Sequence, residues 1–322
     1  MKIDKMSLLY KTPEERREFY RSVGPEWEHA LLYDEDFSKI YPGIEDELFK
    51  DAIDVHPHVY PDFTTRSDDI ISYAIEASKL GMRAICLKDH WFPSMTLAWA
   101  VEQHLKYLVS KGELPRAVRV FGDITLNWQI NPEMVKHALR YPNIKMIRMP
   151  SLNARGPRKM NPKGLTIFNE RDEIIPEVKE ILELSVQAKV GVCSGHLSSE
   201  ENIALARLAK DCGARLILNH PLWMSLDELK ECAKEGAYIG AYVHMFLPDI
   251  YGPGKDPLTT LSVIRQVGPE HVIIASDSSQ LLNPKPIEGL RLMLRAMLGF
   301  HFTKEEIEIM FKRNPAKLLW LE

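Results

Sequence analysis

Two histidines one residue apart, His56-Pro57-His58, follow the apolar run Ala52–Val55. On an extended strand the side-chain period is two, so both imidazoles face the same way. Two imidazoles on one face make half of a zinc site. Other short apolar runs end in groups of the same kind: Lys88-Asp89-His90, Gly195-His196, Asn219-His220-Pro221 and Ser276-Asp277-Ser278. Each alone has a plain structural explanation. A histidine at a strand end is more often a hydrogen-bonding packing residue than a ligand, and an Asp after a strand is a routine helix cap. Their joint placement carries the weight. Of eleven histidines, His56, His58, His90, His196, His220 and His244 lie at or near the end of such a run. His29, His104, His137 and His301 read as surface or packing residues, His271 precedes its run, and His244 could at most line a mouth.

The runs that must position these groups are Ala52–Val55, Ala84–Leu87, Val118–Gly122, Lys145–Met149, Val190–Cys193, Leu216–Leu218, Tyr238–Tyr242 and Val272–Ala275. Amphipathic stretches separate them, among them Asp69–Leu80, Leu97–Val109, Pro176–Ala188, Glu200–Asp211, Leu226–Lys234 and Leu258–Val267. Ser198-x-x-Glu201 and Ser225-x-x-Glu228 are capping boxes, and Gly81, Gly213 and Gly236 stand where helices should stop. Strand–helix alternation predicts parallel strands joined by right-handed crossovers. Eight units predict an α/β fold of the (β/α)8 TIM-barrel type, and such barrels carry their sites at the C-terminal strand ends, where the histidines fall. No Gly-x-Gly-x-x-Gly follows a strand, which removes the case for a dinucleotide site.

The 322 residues accommodate one barrel of roughly 250 residues with an N-terminal helical extension, read as residues 1–50, the barrel being 51–322. Thr12-Pro13-Glu14-Glu15 predicts a helix running to about Val23. The segment from Trp27 to Phe49, broken at Pro42-Gly43, is expected to pack on the barrel or on a partner subunit, which is compatible with a homodimer. A net charge of −4 with mixed signs argues against nucleic-acid and membrane-surface partners. No run approaches the ~18 apolar residues of a membrane span. The first residues carry no apolar signal core, and the cysteines Cys86, Cys193, Cys212 and Cys232 form no Cys-x-x-Cys pair. A cytoplasmic protein acting on a small molecule is the expectation.

His56 and His58, His196, His220 and Asp277, in that order on strands one, five, six and eight, resemble the ligand pattern of the amidohydrolase superfamily of metal-dependent hydrolases. The closing Asn314-Pro315-Ala316-Lys317-Leu318-Leu319 is similar to that family's terminal helix, and the resemblance spans about Asp51 to Glu322. It implies a divalent metal, zinc first with manganese or iron as alternatives. His56, His58, His196 and Asp277 would hold it, with His90 and His220 as further candidate ligands. Strand four ends Arg148-Met149-Pro150, without the Lys or Glu of two-metal relatives, which implies one metal. Leu87-Lys88-Asp89-His90 also resembles the Thr-Asp-His of PHP-type phosphoesterases, a reading that would bring in a second metal at His90, with Lys88 as a carbamate bridge or a substrate contact. The implied chemistry is attack by metal-activated water on an amide, cyclic amide or lactone of a small anionic substrate. Asp277 would serve as general base and His220 would orient the water or polarise the carbonyl, with Asp54 in support. Lys88, Arg148, Arg155 and Trp223 are the candidate substrate contacts, with Arg158, Lys159 and Lys163 in the same basic loop and Trp91 and Phe92 as candidate walls. Alternatives are a non-oxidative decarboxylase of an aromatic acid, a PHP-like phosphoesterase, and a barrel whose metal is structural or absent.

Overall fold

The computed structural model describes residues 5–23, 43–157, 160–221, 223–247 and 257–322. Most of the segment between Trp27 and Phe49, with Arg158 and Lys159, lies outside them. The strands are β1 Ile53–Asp54, β2 Ala84–Cys86, β3 Arg119–Thr125, β4 Ile144–Arg148, β5 Gly191–Cys193, β6 Leu216–Leu218, β7 Tyr238–Tyr242 and β8 Val272–Ala275. They pair in chain order, all parallel. At the C-terminal ends the backbone N–H of Asp277 donates to the His56 carbonyl at 3.0 Å, drawing β8 against β1. The (β/α)8 barrel expected from the alternation is the observed fold.

The strand period of two sorts the side chains into two cores. Ile53, Ala84, Cys86, Phe121, Met146, Cys193, Ile217, Ile273 and Ala275 fill the barrel interior. Their neighbours Ile85, Val120, Ile147, Val192, Leu218, Ile239 and Ile274 pack outward against the helices. Both capping boxes form, Ser198 with Glu201 and Ser225 with Glu228, and Gly213 closes its helix in the left-handed conformation. At the foot of the barrel Ala316, Leu318 and Leu319 plug the interior. Asn314 fixes that plug by donating to the carbonyls of Pro269 (2.9 Å) and Val272 (2.7 Å).

The helix Pro13–Val23 matches its sequence signals. It docks on the barrel through buried Arg16, which donates to Thr259 Oγ1 at 2.8 Å on the helix Pro257–Val267. The helix Ile44–Phe49 also lies on the barrel, pairing Glu45 with Arg295 (2.5 Å) and Asp46 with Arg291 (2.8 Å).

Candidate metal centre

The interior alternation runs to the last residue of β4 and, on β2 and β8, two residues past the strand end. Cys86 leads to Lys88, Met146 to Arg148 and Ala275 to Asp277, so charged groups cap the apolar interior at its C-terminal mouth. Asp277 stands at the centre. Its Oδ1 lies 3.3 Å from His58 Nε2 and 3.8 Å from His56 Nε2, and its Oδ2 lies 3.5 Å from His220 Nε2. His196 Nε2 is 3.2 Å from His220 Nε2. Asp277 (φ 42) and His220 (φ 27) both adopt left-handed backbone. That conformation costs a residue other than glycine about 1–3 kcal/mol and concentrates at functional sites. Asp54 supports the cluster from behind, accepting from the backbone N–H of His56 (3.0 Å) and Ser276 (3.1 Å) and from Tyr73 Oη (2.8 Å). Gly195 permits a close crossing: a Cβ there would collide with the Pro150 carbonyl, which accepts from His196 N at 2.9 Å.

Burial sets the protonation states. It pushes His56 and His196 well below the ordinary imidazole range, with Arg148 adding to the effect at His56 and His220 at His196. Burial also brings His220 down to about 4. Asp277 would be raised by the same burial, but the surrounding His56, His58 and His220 outweigh it and hold the carboxyl well below its usual value. Burial and neighbouring Arg148 lower Lys88 to about 8. Neutral imidazoles beside an ionised carboxylate are the state a divalent metal needs.

The donor set fits such an ion. One ligand atom from each of His56, His58 and Asp277 lies within 4.8 Å of the others. His56 Nε2 and Asp277 Oδ2 are buried without hydrogen-bond partners, which buried polar atoms rarely are. Nitrogen and carboxylate donors suit zinc, manganese or iron(II). Arg148 adds a condition. Its Nη1 lies 2.9 Å from His56 Nδ1. A guanidinium only donates, so Nδ1 accepts and the neutral ring carries its proton on Nε2; holding a metal there would require that proton to be lost to solvent, leaving His56 as an imidazolate paired with Arg148.

His56, His58 and Asp277 thus form one cluster, with His220 on the other carboxylate oxygen and His196 behind it. His90 stands beside this group, its ring stacked on His58 at 4.8 Å and its Nδ1 3.1 Å from Lys88 Nζ and 3.2 Å from Ser151 Oγ. Lys88 is buried against it. Trp223 packs edge-on to both His196 (6.4 Å) and His220 (6.1 Å). Arg155 lies further out, on the loop after β4. Arg148, a candidate substrate contact on the sequence alone, is fully buried. Its Nε pairs with Asp123 Oδ2 at 2.5 Å and its Nη2 donates to the Val55 carbonyl at 2.8 Å, so its charge is spent beneath the histidines.

Several site residues lay outside the sequence reading. Asp123 anchors Arg148. Asn127 accepts from Ser151 N (2.6 Å) and donates to the His90 carbonyl (2.6 Å). Asp62 and Arg66 form an ion pair (2.8 Å) beside His58 Nδ1, 3.7 Å from the carboxylate and 3.3 Å from the guanidinium. For Asp123 a signal existed: a carboxylate inside the run Val-Phe-Gly-Asp-Ile needs a buried partner. Asp62, Arg66 and Asn127 lie in polar loops with no such signal.

A parallel eight-stranded barrel with His-x-His after its first strand and an Asp after its eighth defines a class of barrels built around a candidate metal site. Solved structures of the same fold include a PTE-like lactonase mutant from Deinococcus radiodurans, at 13% identity and TM-score 0.55, the match covering 83% of this chain and 95% of that one. An organophosphorus hydrolase from the same organism aligns at 13% identity and TM-score 0.53, over 83% of this chain and 92% of that one. An amidohydrolase from Pseudomonas aeruginosa aligns at 12% identity and TM-score 0.53, over 85% and 97%. No curated protein matches the sequence. The chain belongs to the family of unknown function DUF6282, which it matches over residues 51–240. That region takes in His56, His58, His196 and His220 and ends before Asp277.

Proposed function

We propose that the chain is a metal-dependent hydrolase that opens an amide, cyclic amide or lactone bond in a small molecule. The observation that carries this reading is the convergence of His56, His58 and Asp277, two of whose buried atoms, His56 Nε2 and Asp277 Oδ2, lack a hydrogen-bond partner. The names borne by structures of the same fold, lactonase and amidohydrolase, point the same way. A divalent metal bound there would polarise a water and lower its pKa to about 7. Asp277, ionised and flanked by His58 and His220, accepts the proton of the attacking water and returns it to the leaving group. His220 sits on the side of Asp277 away from His56 and is placed to orient the water or the scissile carbonyl. Lys88 and His90 bound the far side of His58, and Trp223 walls the site beside His196.

The test is elemental analysis of purified protein, wild type against His56→Ala/His58→Ala, beside hydrolysis of a lactone and amide panel by wild type and Asp277→Asn. The expected result is about one transition metal per chain, lost in the double variant. Asp277→Asn should lower kcat at least about a hundredfold, the lower range for a general base. A wild type that takes up no zinc or manganese on reconstitution, or an Asp277→Asn enzyme with unchanged turnover, rejects the reading.

A further inference from the structure

Beside the histidine cluster a cavity of about 630 Å³ opens between the loop after β4 and the start of the helix Ser199–Cys212. Arg155, Thr166, Phe168 and Trp223 line it, with Asp172 and Glu200 exposed at its edge. Trp223 is the wall it shares with the centre, since the same indole packs edge-on to His196 and His220. The loop is held in place: Arg155 N donates to the Leu165 carbonyl at 2.7 Å and Leu165 N to the Asn153 carbonyl at 2.7 Å.

Two residues that line this cavity, Arg155 and Trp223, each keep a buried ring or guanidinium N–H without a hydrogen-bond partner, at Nε and Nε1. Buried donors are almost always paired, and leaving one unpaired costs on the order of 1–3 kcal/mol. A buried carboxylate nearby, that of Glu201, is already spent. Glu201 accepts from Thr166 Oγ1 (2.5 Å) and the backbone N–H groups of Ile167 (3.0 Å) and Ser198 (2.9 Å). Arg155 makes no side-chain hydrogen bond or ion pair among the described residues, so a guanidinium without a counter-ion lines the cavity and calls for a ligand group that only accepts. Resting on the hydrolase reading above, we propose that this cavity receives the part of the substrate remote from the scissile bond, and that this part carries a single carboxylate. Arg155 binds the carboxylate with its guanidinium fork, as that geometry favours. Phe168 and Trp223 offer ring faces to a short apolar or planar body. Asp172, exposed at the edge, repels a second negative charge, which selects against phosphorylated or multiply carboxylated compounds.

The experiment is calorimetric titration with phenylacetate and its neutral isostere phenylacetamide. It is run on the wild type, Arg155→Gln, Arg155→Lys and the His56→Ala/His58→Ala variant, whose weakened metal centre removes the competing carboxylate site. Phenylacetate is expected to bind at least about tenfold tighter than the amide, the worth of one charge-assisted hydrogen bond. That preference should persist in the double histidine variant, vanish in Arg155→Gln and survive in part in Arg155→Lys. Arg155→Gln removes no hydrogen bond or ion pair among the described residues, since Arg155 makes none with its side chain. Equal affinity for the two compounds, binding of neither, or a preference that survives Arg155→Gln overturns the proposal. A preference present in a protein that hydrolyses nothing removes the hydrolase reading alone, and hydrolysis without the preference removes the cavity assignment alone.

Discussion

Arg148 and Asp123 are both sealed inside the barrel, and neither charge has water to fall back on. Breaking one partner of a buried pair typically costs about 3–5 kcal/mol, whereas replacing both by apolar groups of similar volume is often near neutral. Arg148→Met should therefore destabilise the protein by that amount in denaturant unfolding, and Asp123→Leu/Arg148→Met should recover most of the loss. A double variant as unstable as the single one would show that Arg148 acts chiefly through His56 Nδ1 and the Val55 carbonyl. This pair also marks how far the site was legible from the residues. His56, His58, His196, His220 and Asp277 stand out because imidazoles and carboxylates ending apolar runs have few structural uses. Arg148 was visible as a charge at a strand end, but its partner lies on a neighbouring strand, and a one-residue change in register would have turned the guanidinium elsewhere. Pairings across strands depend on register, which a single chain read by itself does not state.

At the scale of elements, the runs Leu216–Leu218, Tyr238–Tyr242 and Val272–Ala275 are strands with the boundaries their sequence predicted, and the rest differ by a few residues at the ends. Short continuous apolar runs, as strands of a buried parallel sheet show, made them legible, whereas the register shift between Gly122 and Asp123 in β3 arises from its pairing with β4 and has no local signal. Capping was equally legible, but one consequence was not. Glu201 completes the capping box of Ser198 and also holds Thr166 and Ile167. Ser198→Ala removes only a cap and should cost about 1 kcal/mol. Glu201→Ala removes the same reciprocal cap and orphans the Ile167 N–H, so it should cost about 1–3 kcal/mol more. It should also speed proteolysis between Asn161 and Arg171, which Ser198→Ala leaves slow. Equal losses of stability and equal cleavage rates in the two variants would mean that the loop after β4 does not depend on this helix.

For the molecule as a whole, the buried histidines fix how stability responds to acid. Burial lowers His56, His90, His196 and His220, the last to about 4. In the unfolded chain each would titrate near 6.5. Between about pH 4 and 6.5 the unfolded chain therefore binds more protons than the folded one, and stability must fall as pH falls through that window. At 1.36 kcal/mol per pH unit, His220 alone should cost about 2 kcal/mol between pH 7 and pH 5. His56, His90 and His196 act in the same sense. Asp277 works at lower pH: its folded value is depressed, so its contribution is complete above the ordinary carboxylate range and is lost only below it. Asp54 and Asp123, raised by burial, oppose the trend in the carboxylate range, since the folded chain keeps their protons longer. Urea unfolding of EDTA-treated protein should thus show a lower midpoint at pH 5 than at pH 7. His220→Gln should shrink that difference, because glutamine has no proton to take up on unfolding. A midpoint unchanged or raised at pH 5 would mean that the imidazoles accept protons inside the fold, with Asp277 as their counter-ion. The mouth of the barrel would then hold an imidazolium–carboxylate network at neutral pH, with no free nitrogens to offer a metal.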